Sequence, residues 1–174
     1  MSELSIVVVP HTALGHTAKK ITEIDERIRS LGHHMAETMY KAPGLGLAAN
    51  QVGELIRLIV LDLDYAYADP KKKKKNPIFI INPKISRSEG ETVKEEGCLS
   101  VPEFGLEIER AAMVEVQGLD LNGKPLKIEA DGMLARVLQH EIDHLNGTTI
   151  LDHASSLKKT LYHRRLMKRN RSNR

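Results

Sequence analysis

The chain has 174 residues, of which 41% are hydrophobic and 28% are charged, with a formal net charge of +3. This size and composition are ordinary for a globular protein with a hydrophobic core, and we expect a single domain over residues 1–174. The single cysteine, Cys98, excludes an internal disulfide framework, and no segment reaches the roughly 18 apolar residues of a membrane-spanning helix. With no secretion signal apparent, we expect a cytoplasmic protein.

The first half of the chain predicts two strands separated by a helix. The apolar run from Leu4 to Val9 favours a strand, and the helical spacing of apolar residues from Thr22 to Lys41 predicts an amphipathic helix. The segment from Arg57 to Leu63 is apolar and rich in β-branched residues, as buried strands are. Five consecutive lysines follow in a predicted loop from Asp69 to Pro77. A solvent-exposed tip is their simplest interpretation, and nucleic-acid binding is the alternative.

The second half predicts further strands and then two helices. Asp131 suits the N-cap of a helix from Gly132 to Asn146. The segment from Ser155 to Lys168 predicts a basic helix, after which residues 169–174 are expected to fray. We predict an α+β fold in which antiparallel strands pack around the central helix, with an N-terminal and a C-terminal helix. The predicted strands are Pro77 to Pro83, Leu106 to Ala111, Ala112 to Leu119 and Pro125 to Ala130, the last two joined by an Asn122-Gly123 turn.

The predicted central helix contains an H-E-x-x-H motif, formed by His140, Glu141 and His144. Two histidines four residues apart lie on one face of a helix and can bind the same metal ion, while Glu141 can act as a base toward a water molecule. A buried pair of histidines without metal is the alternative, which the apolar stripe and the caps of this helix disfavour. The motif therefore predicts the metal centre of a hydrolase.

Two further segments can complete such a centre. Catalytic sites usually take a third protein ligand, and Cys98 is the candidate, although a lone cysteine is more often a small buried hydrophobic residue. Its neighbours, a glycine before it and Ser-x-Pro after it, favour an irregular turn over a strand interior. Residues 44–51, with the sequence GLGLAANQ, can let a ligand approach the backbone closely, and Gln51 offers an amide donor. A tight turn is the simpler interpretation of this glycine pair.

Together these segments resemble the peptide deformylase family. That family is marked by the motifs G-x-G-x-A-A-x-Q, E-G-C-x-S and Q-H-E-x-D-H, which are complete here at residues 44–51, 96–100 and 139–144. The resemblance, to bacterial type 1 members, covers nearly the whole chain. The chain departs from the family pattern in the lysine run and in the segment from Pro10 to Ala18, which lacks an arginine often found there. The resemblance implies an enzyme that removes the formyl group from the N-terminal formyl-methionine of newly synthesised polypeptides and releases formate.

The resemblance also implies a role for individual residues. Cys98, His140 and His144 would bind the metal, Glu141 would transfer protons, and the Gln51 amide and Leu99 N–H would stabilise the oxyanion. The expected substrate-binding residues are Leu45, Gly46, Gly97, Leu99, Met133, Arg136 and Val137, and those expected to orient ligands are Glu96, Ser100 and Gln139.

The identity of the metal is a point on which the residues and the resemblance differ. One cysteine and two histidines by themselves favour zinc. The resemblance implies one Fe²⁺ ion per chain, with Zn²⁺, Ni²⁺ or Co²⁺ able to occupy the same site.

The charges are distributed unevenly along the chain. Residues 155–174 contain eight Lys or Arg and no acidic residue, whereas residues 1–154 contain 18 basic and 23 acidic residues. A basic end on an acidic body indicates an acidic partner, and the resemblance implies the RNA-rich surface of the ribosome. A solvated tail without a partner is the alternative. The candidate ribosome contacts are Lys158, Lys159, Arg164, Arg165, Lys168 and Arg169.

Two other functions fit part of the sequence. A zinc peptidase that cuts ordinary peptide bonds would need the H-E-x-x-H motif but not the Gly97-Cys98-Leu99 turn. A ribosome- or RNA-associated protein with a structural metal would need four ligands, and the sequence offers three convincing ones. A structural site would also have no use for Glu141 as a base.

Overall fold

Antiparallel strands and α-helices make up residues 4–172, the part of the chain that the computed structural model describes. The strands are β1 (Gly46–Ala48), β2 (Leu58–Leu61), β3 (Ile78–Glu89), β4 (Thr92–Cys98), β5 (Val101–Arg110), β6 (Met113–Leu119) and β7 (Pro125–Asp131). The helices are α1 (Glu26–Lys41), α2 (Leu63–Tyr67), α3 (Gly132–Leu145) and α4 (Ser156–Ser172). One sheet has the order β1-β2-β3-β6-β7, and a second sheet pairs β4 with β5. The predicted α+β fold is confirmed.

The strand β2 lies at the centre of the core because both faces of the larger sheet are covered. Ile59 and Leu61 pack with the apolar side chains of α3, whereas Leu58 and Val60 pack with those of α1. All four are almost completely buried. Because successive strand side chains point to opposite faces, a continuous apolar run of this kind is what a strand between two helices requires.

Two helices begin where an aspartate caps them. The prediction placed the start of the first helix at Thr22, but α1 begins at Glu26 because the Asp25 carboxylate accepts the N–H of Ile28 at 2.9 Å. The strand predicted to reach Leu63 stops at Leu61. Asp62 ends it by accepting the N–H of Tyr65 at 2.8 Å, which caps the short helix α2.

The predicted first strand from Leu4 to Val9 is wrong. The N–H of Val7 donates to the carbonyl of Gln51, while the N–H of Val9 donates to the carbonyl of Ser100. The segment is thus held by two different parts of the chain and does not pair along one neighbouring strand.

The sheet around β3 and β4 is more extensive than predicted. The strand predicted from Pro77 to Pro83 continues to Glu89 in β3, and β4 was not predicted. Much of β4 is exposed and charged, so it lacks the apolar alternation that signals a half-buried strand.

The C-terminal helix α4 is longer than predicted. It continues past Lys168 to Ser172, so residues 169–172 are helical rather than frayed, and residues 173–174 lie outside the described part of the chain. Tyr162 anchors α4 in a third apolar cluster with residues of β5 and of the segment Ile150–His153. Over the described residues, no helix combines the length and apolarity needed to cross a bilayer.

The lysine run folds back on the body of the protein at two points. Lys75 pairs with Glu37 at 2.7 Å and lies over the ring of Tyr40, and Lys73 lies over the ring of Tyr65. The predicted loop is confirmed, and it is anchored beside α1 and α2.

Candidate metal centre

The three predicted metal ligands converge on one point. The helix α3 presents His140 and His144 one turn apart, and Cys98 faces them from the end of β4. Cys98 Sγ lies 3.2 Å from His144 Nε2, and the Nε2 atoms of the two histidines lie 3.3 Å apart. All three donor atoms lie within 4.8 Å of one another. A thiolate and two imidazole nitrogens are suitable ligands for a divalent transition metal, so the residues fit such an ion.

Cys98 reaches this point because the pairing of β4 with β5 is irregular there. Gly97 pairs with Gly105, but the next residue, Cys98, pairs with Val101. A shift of this kind bends a strand and redirects its side chains. The irregular backbone predicted at Cys98 is present, at the end of a strand.

His144 has the protonation state that a ligand needs. It is almost completely buried, and burial lowers the pKa of its ring well below the ordinary value. The ring is therefore neutral and can offer a nitrogen lone pair to a metal.

Glu96 is the centre of a buried charge network behind His140. Its Oε2 lies 3.0 Å from His140 Nδ1, Arg110 donates to both carboxylate oxygens at 3.0 Å, and Arg136 donates to Oε1 at 2.6 Å. Burial would raise the pKa of Glu96, but the hydrogen bonds from His140 and Arg110 outweigh it and lower the pKa to about 2. The ionised carboxylate thus orients His140 with Nε2 toward the other two ligands.

Two further residues of this network were not predicted from the sequence. Arg110 also donates to Asp143 at 2.5 Å, and His153 lies 3.1 Å from the same carboxylate. The Asp143 carboxylate therefore contacts two basic side chains. The available signal was Arg110 itself, a charged residue that continues the buried face of β5 after Leu106 and Ile108.

Gln51 directs its amide group toward Cys98. Its Oε1 accepts the N–H of Ala48 at 2.9 Å, and its Nε2 lies 3.2 Å from Ser100 Oγ and 3.7 Å from Cys98 Sγ. Since one end of the amide is fixed by the backbone, the N–H donors must point to the site. Ser100 therefore orients Gln51 rather than a metal ligand.

Gln139 is placed differently from its predicted role. Its amide pairs with both the N–H and the carbonyl of Ala111 at 3.0 Å, and it also donates to the carbonyl of Ala135. These contacts attach the turn after β5 to α3. Gln139 was expected to orient a metal ligand, and among the described residues its hydrogen bonds go to the backbone of Ala111 and Ala135 instead.

A cavity of about 480 Å³ opens beside the candidate metal ligands. Its walls include two ligands, Cys98 and His140, together with Gln51 and Glu141. All of the predicted substrate-binding residues line it, namely Leu45, Gly46, Gly97, Leu99, Met133, Arg136 and Val137. The lining residues that the sequence did not single out include Pro43, Glu95, Val101, Glu103 and Phe104.

Arg136 contributes its aliphatic stem to this cavity. Its guanidinium donates hydrogen bonds to Glu96, to the carbonyl of Ile108 at 3.0 Å and to the carbonyl of Thr92 at 2.9 Å. With the charge neutralised, the arginine can form part of an apolar pocket wall together with Met133.

Glu141 is a buried carboxyl group beside the ligands. It is 3% exposed, and its Oε2 has no hydrogen-bond partner among the described residues. Burial raises the pKa of Glu141 to about 7, which outweighs the opposing effect of His140. A carboxyl group with this pKa can both accept and return a proton near neutral pH.

Comparison with known proteins agrees with the three motifs. Residues 3–160 match the model of the family described as polypeptide deformylase. The chain belongs to this family. A peptide deformylase from Thermodesulfovibrio yellowstonii is 47% identical over 95% of this chain and 97% of the relative. One from Brucella suis is 44% identical over 92% of this chain and 90% of the relative.

Solved deformylase structures have the same fold. The peptide deformylase of Legionella pneumophila is 42% identical, with a TM-score of 0.88 over 99% of this chain and 98% of that structure. That of Ehrlichia chaffeensis in complex with actinonin is 41% identical, with a TM-score of 0.88 over 98% and 99% of the two chains.

The family assignment confirms the function that the motifs indicated. Peptide deformylases are metal-dependent hydrolases that deformylate N-formyl-methionine on nascent polypeptides, and the chain is an enzyme of this class. The alternatives of a general peptidase and of a non-catalytic metal-binding protein do not account for this assignment.

Proposed function

We propose that Cys98, His140 and His144 hold the metal ion of this deformylase and that Glu141 is its proton-transfer group. The convergence of the three donor atoms within 4.8 Å, beside a buried carboxyl group at the base of a cavity, supports this assignment. A divalent ion held there would supply the Lewis acidity that activates water for hydrolysis near neutral pH.

Glu141 transfers the proton during hydrolysis. Its carboxylate accepts a proton from the attacking water and delivers that proton to the amine that leaves when the formyl C–N bond breaks. Because its Oε2 has no other partner among the described residues, this oxygen is available for the transfer. The products are formate and a polypeptide with a free N-terminal amine.

Gln51 and Leu99 stabilise the negative charge that develops on the formyl oxygen. The Gln51 amide is held in place by Ala48 and Ser100, and Leu99 follows Cys98 directly and lines the cavity. A donor fixed before the reaction typically contributes about 3 kcal/mol to the transition state.

The polypeptide substrate binds in extended form along Gly46 and the segment 97–99. Gly46 belongs to β1, which is the edge strand of the larger sheet and can accept another strand. The methionine side chain enters the apolar part of the cavity, beside Leu45, Met133 and Val137.

We infer that the physiological metal is Fe²⁺. The family resemblance supports this inference, and iron stands below zinc in the Irving–Williams order, so zinc can replace it on purification. Protein prepared without oxygen should contain iron and release formate faster than aerobic protein. Equal activity of iron-loaded and zinc-loaded protein, with each metal verified by elemental analysis, would contradict the inference.

We also propose that α4 carries the enzyme to the ribosome in the cytoplasm, through phosphate contacts without sequence specificity. Among the described residues, the side chains of Lys158, Lys159 and Arg164 form no ion pair, so they are available to a partner. Arg165 and Arg169 bind Glu103 instead. Replacing Lys158, Lys159 and Arg164 by Gln should weaken ribosome binding and reduce its salt dependence. Unchanged affinity at low salt would reject the proposal.

The catalytic assignment is tested by formate release from formyl-Met-Ala-Ser. Glu141→Gln should reduce turnover by about 100-fold or more while leaving the metal content unchanged. Glu54→Gln, at an exposed carboxylate far from the ligands in sequence, is the control and should retain full activity. If Glu141→Gln instead loses its metal, the residue has a structural role and the assignment is wrong.

A further inference from the structure

Residues Pro102 to Phe104 of β5, called here the β5 turn, lie between the pairs Cys98–Val101 and Gly97–Gly105 and have no partner in β4. They form a wall shared by two parts of the molecule. On one side, Glu103 and Phe104 line the cavity over the metal ligands. On the other side, the same two residues line a groove with Tyr162 and Arg165 of α4. Whatever holds the β5 turn therefore also shapes the cavity.

The backbone of the β5 turn has an unfavourable conformation at Glu103. Its φ of 56° lies in the left-handed region, which residues other than glycine seldom adopt. Such a conformation persists where surrounding contacts fix it. The β5 turn thus depends on its contacts with other elements.

The helix α4 supplies these contacts. Tyr162 Oη donates to the carbonyl of Pro102 at 2.9 Å, and Arg165 Nη2 donates to the carbonyl of Glu103 at 2.7 Å. Arg169 Nη1 pairs with the Glu103 carboxylate at 2.8 Å. These three residues of α4 each fix a different group of the β5 turn, and Arg165 fixes the backbone at the residue with positive φ.

Ring packing makes this contact rigid. The rings of Phe104 and Tyr162 lie 5.1 Å apart, and Tyr162 is 2% exposed. The Arg165 guanidinium carbon lies over the Tyr162 ring, 5.4 Å from its centroid. Arg165 is therefore held by an aromatic ring while it donates to the turn.

We propose that Arg165 is a positioning residue for the polypeptide substrate, an inference that rests on the proposed function of the cavity. By fixing Glu103, it sets the wall that contacts the residues following formyl-methionine. The Glu103 side chain is 69% exposed, so this wall lies at the mouth of the cavity, whereas Cys98 and His140 lie beside the reacting group. The substrate reaches the wall only if it is longer than formyl-methionine itself.

The test compares two substrates with each variant. For a formyl-methionyl hexapeptide, Arg165→Ala should raise KM about three- to tenfold with little change in kcat. For formyl-methionine amide, which ends before the wall, both constants should stay unchanged. Arg165→Lys should have a KM between those of wild type and Arg165→Ala, because an ammonium group can also donate to the Glu103 carbonyl. Met167→Ala, at an exposed position of the same helix, is the control and should behave as wild type.

Two results would overturn the proposal. One is an equal change for the long and the short substrate, which would indicate a general loss of structure. The other is an unchanged KM for the hexapeptide in Arg165→Ala. Absence of formate release by the unmodified protein would instead contradict the proposed function, so the two failures are distinguishable.

Discussion

The carboxyl group of Glu141 lies directly against the backbone of Gly46. A Cβ atom at position 46 would stand 2.7 Å from Glu141 Oε1 and 2.9 Å from its Cγ, distances that real side chains do not tolerate. The first residue of β1 is therefore glycine because α3 brings its buried acid to this point. Gly46 is buried at this contact and also lines the cavity.

Gly46→Ala should therefore reduce activity by displacing Glu141. A shift of about 1 Å in a catalytic group can reduce turnover on the order of 100-fold, and we expect a loss of about that size in kcat. The three atoms nearest to the new methyl group all belong to Glu141, which is not a proposed metal ligand, so metal content should be retained. Steady-state formate release and elemental analysis of the same sample measure both quantities.

Gly15→Ala is the matched control for this substitution. A Cβ at Gly15 would meet no atom within 4 Å, and the residue does not need a positive φ. Its activity should equal that of the unmodified protein. If Gly46→Ala were equally active, Glu141 could not depend on the space that the glycine provides.

Glu96→Gln should destabilise the protein and weaken metal binding. The neutral amide leaves the buried guanidinium groups of Arg110 and Arg136 without their shared carboxylate, which typically costs about 3–5 kcal/mol of unfolding free energy. His140 also loses the charged carboxylate that orients it, and such a loss typically weakens metal affinity about 10- to 100-fold. Chemical denaturation and competition with a chelator measure the two effects.

The comparison for Glu96 is Glu54, whose pair with Arg27 lies on the surface. Both side chains are substantially exposed, at 39% and 64%, so solvent and salt already screen this pair. Glu54→Gln should leave the denaturation midpoint and the metal affinity almost unchanged. If Glu54→Gln lost as much stability as Glu96→Gln, burial of the ion pair could not explain the destabilisation by Glu96→Gln.

The parts of the site that were predicted are those with a local signature. His140, Glu141 and His144 lie within one and a half turns of a helix, so their spacing alone predicts that they share a face. Cys98 and Gln51 have no such spacing with respect to the histidines. They were candidates as the single cysteine and as an amide donor, and the family resemblance of residues 44–51 and 96–100 then specified their roles.

The parts that were not predicted depend on contacts between distant residues. Arg110 lies 14 residues from Glu96 and 33 from Asp143. Neither separation predicts a contact, because the contacts form only when the β4–β5 hairpin packs against α3. The strand β4 was missed because its exposed charged residues lack apolar alternation. The segment from Leu4 to Val9 has the composition of a strand but finds no single neighbour to pair with.

The side-chain amide of Asn82 bonds both backbone groups of Ile21, as a neighbouring strand would. Its φ is 53°, and its Oδ1 accepts the N–H of Ile21 at 2.9 Å while its Nδ2 donates to the carbonyl of Ile21 at 2.8 Å. Asn82→Ala should lower the unfolding free energy by about 1–3 kcal/mol, because both backbone groups of Ile21 lose their partner.

Asn82→Gly separates the side-chain effect from the backbone effect. Glycine adopts a positive φ without strain, so any loss of stability in Asn82→Gly reports the missing hydrogen bonds, apart from the greater freedom of glycine in the unfolded chain. The loss should be smaller than in Asn82→Ala. Equal stability of Asn82→Gly and the unmodified protein in a urea titration would show that the two hydrogen bonds contribute nothing.

Gln51→Glu isolates the donor that we assign to the developing oxyanion. Glutamate keeps the oxygen that accepts the N–H of Ala48, so the local backbone is preserved, but it replaces the N–H donors that lie beside Cys98. Loss of one such donor typically lowers kcat by about 100-fold or more, and the new charge opposes a second negative charge nearby. KM should change less than kcat, because the donor acts mainly on the transition state. Gln117→Ala removes an exposed amide whose hydrogen bond, among the described residues, is to Glu115, and it should keep full activity. Retention of kcat in Gln51→Glu, with normal metal content, would exclude Gln51 as the donor.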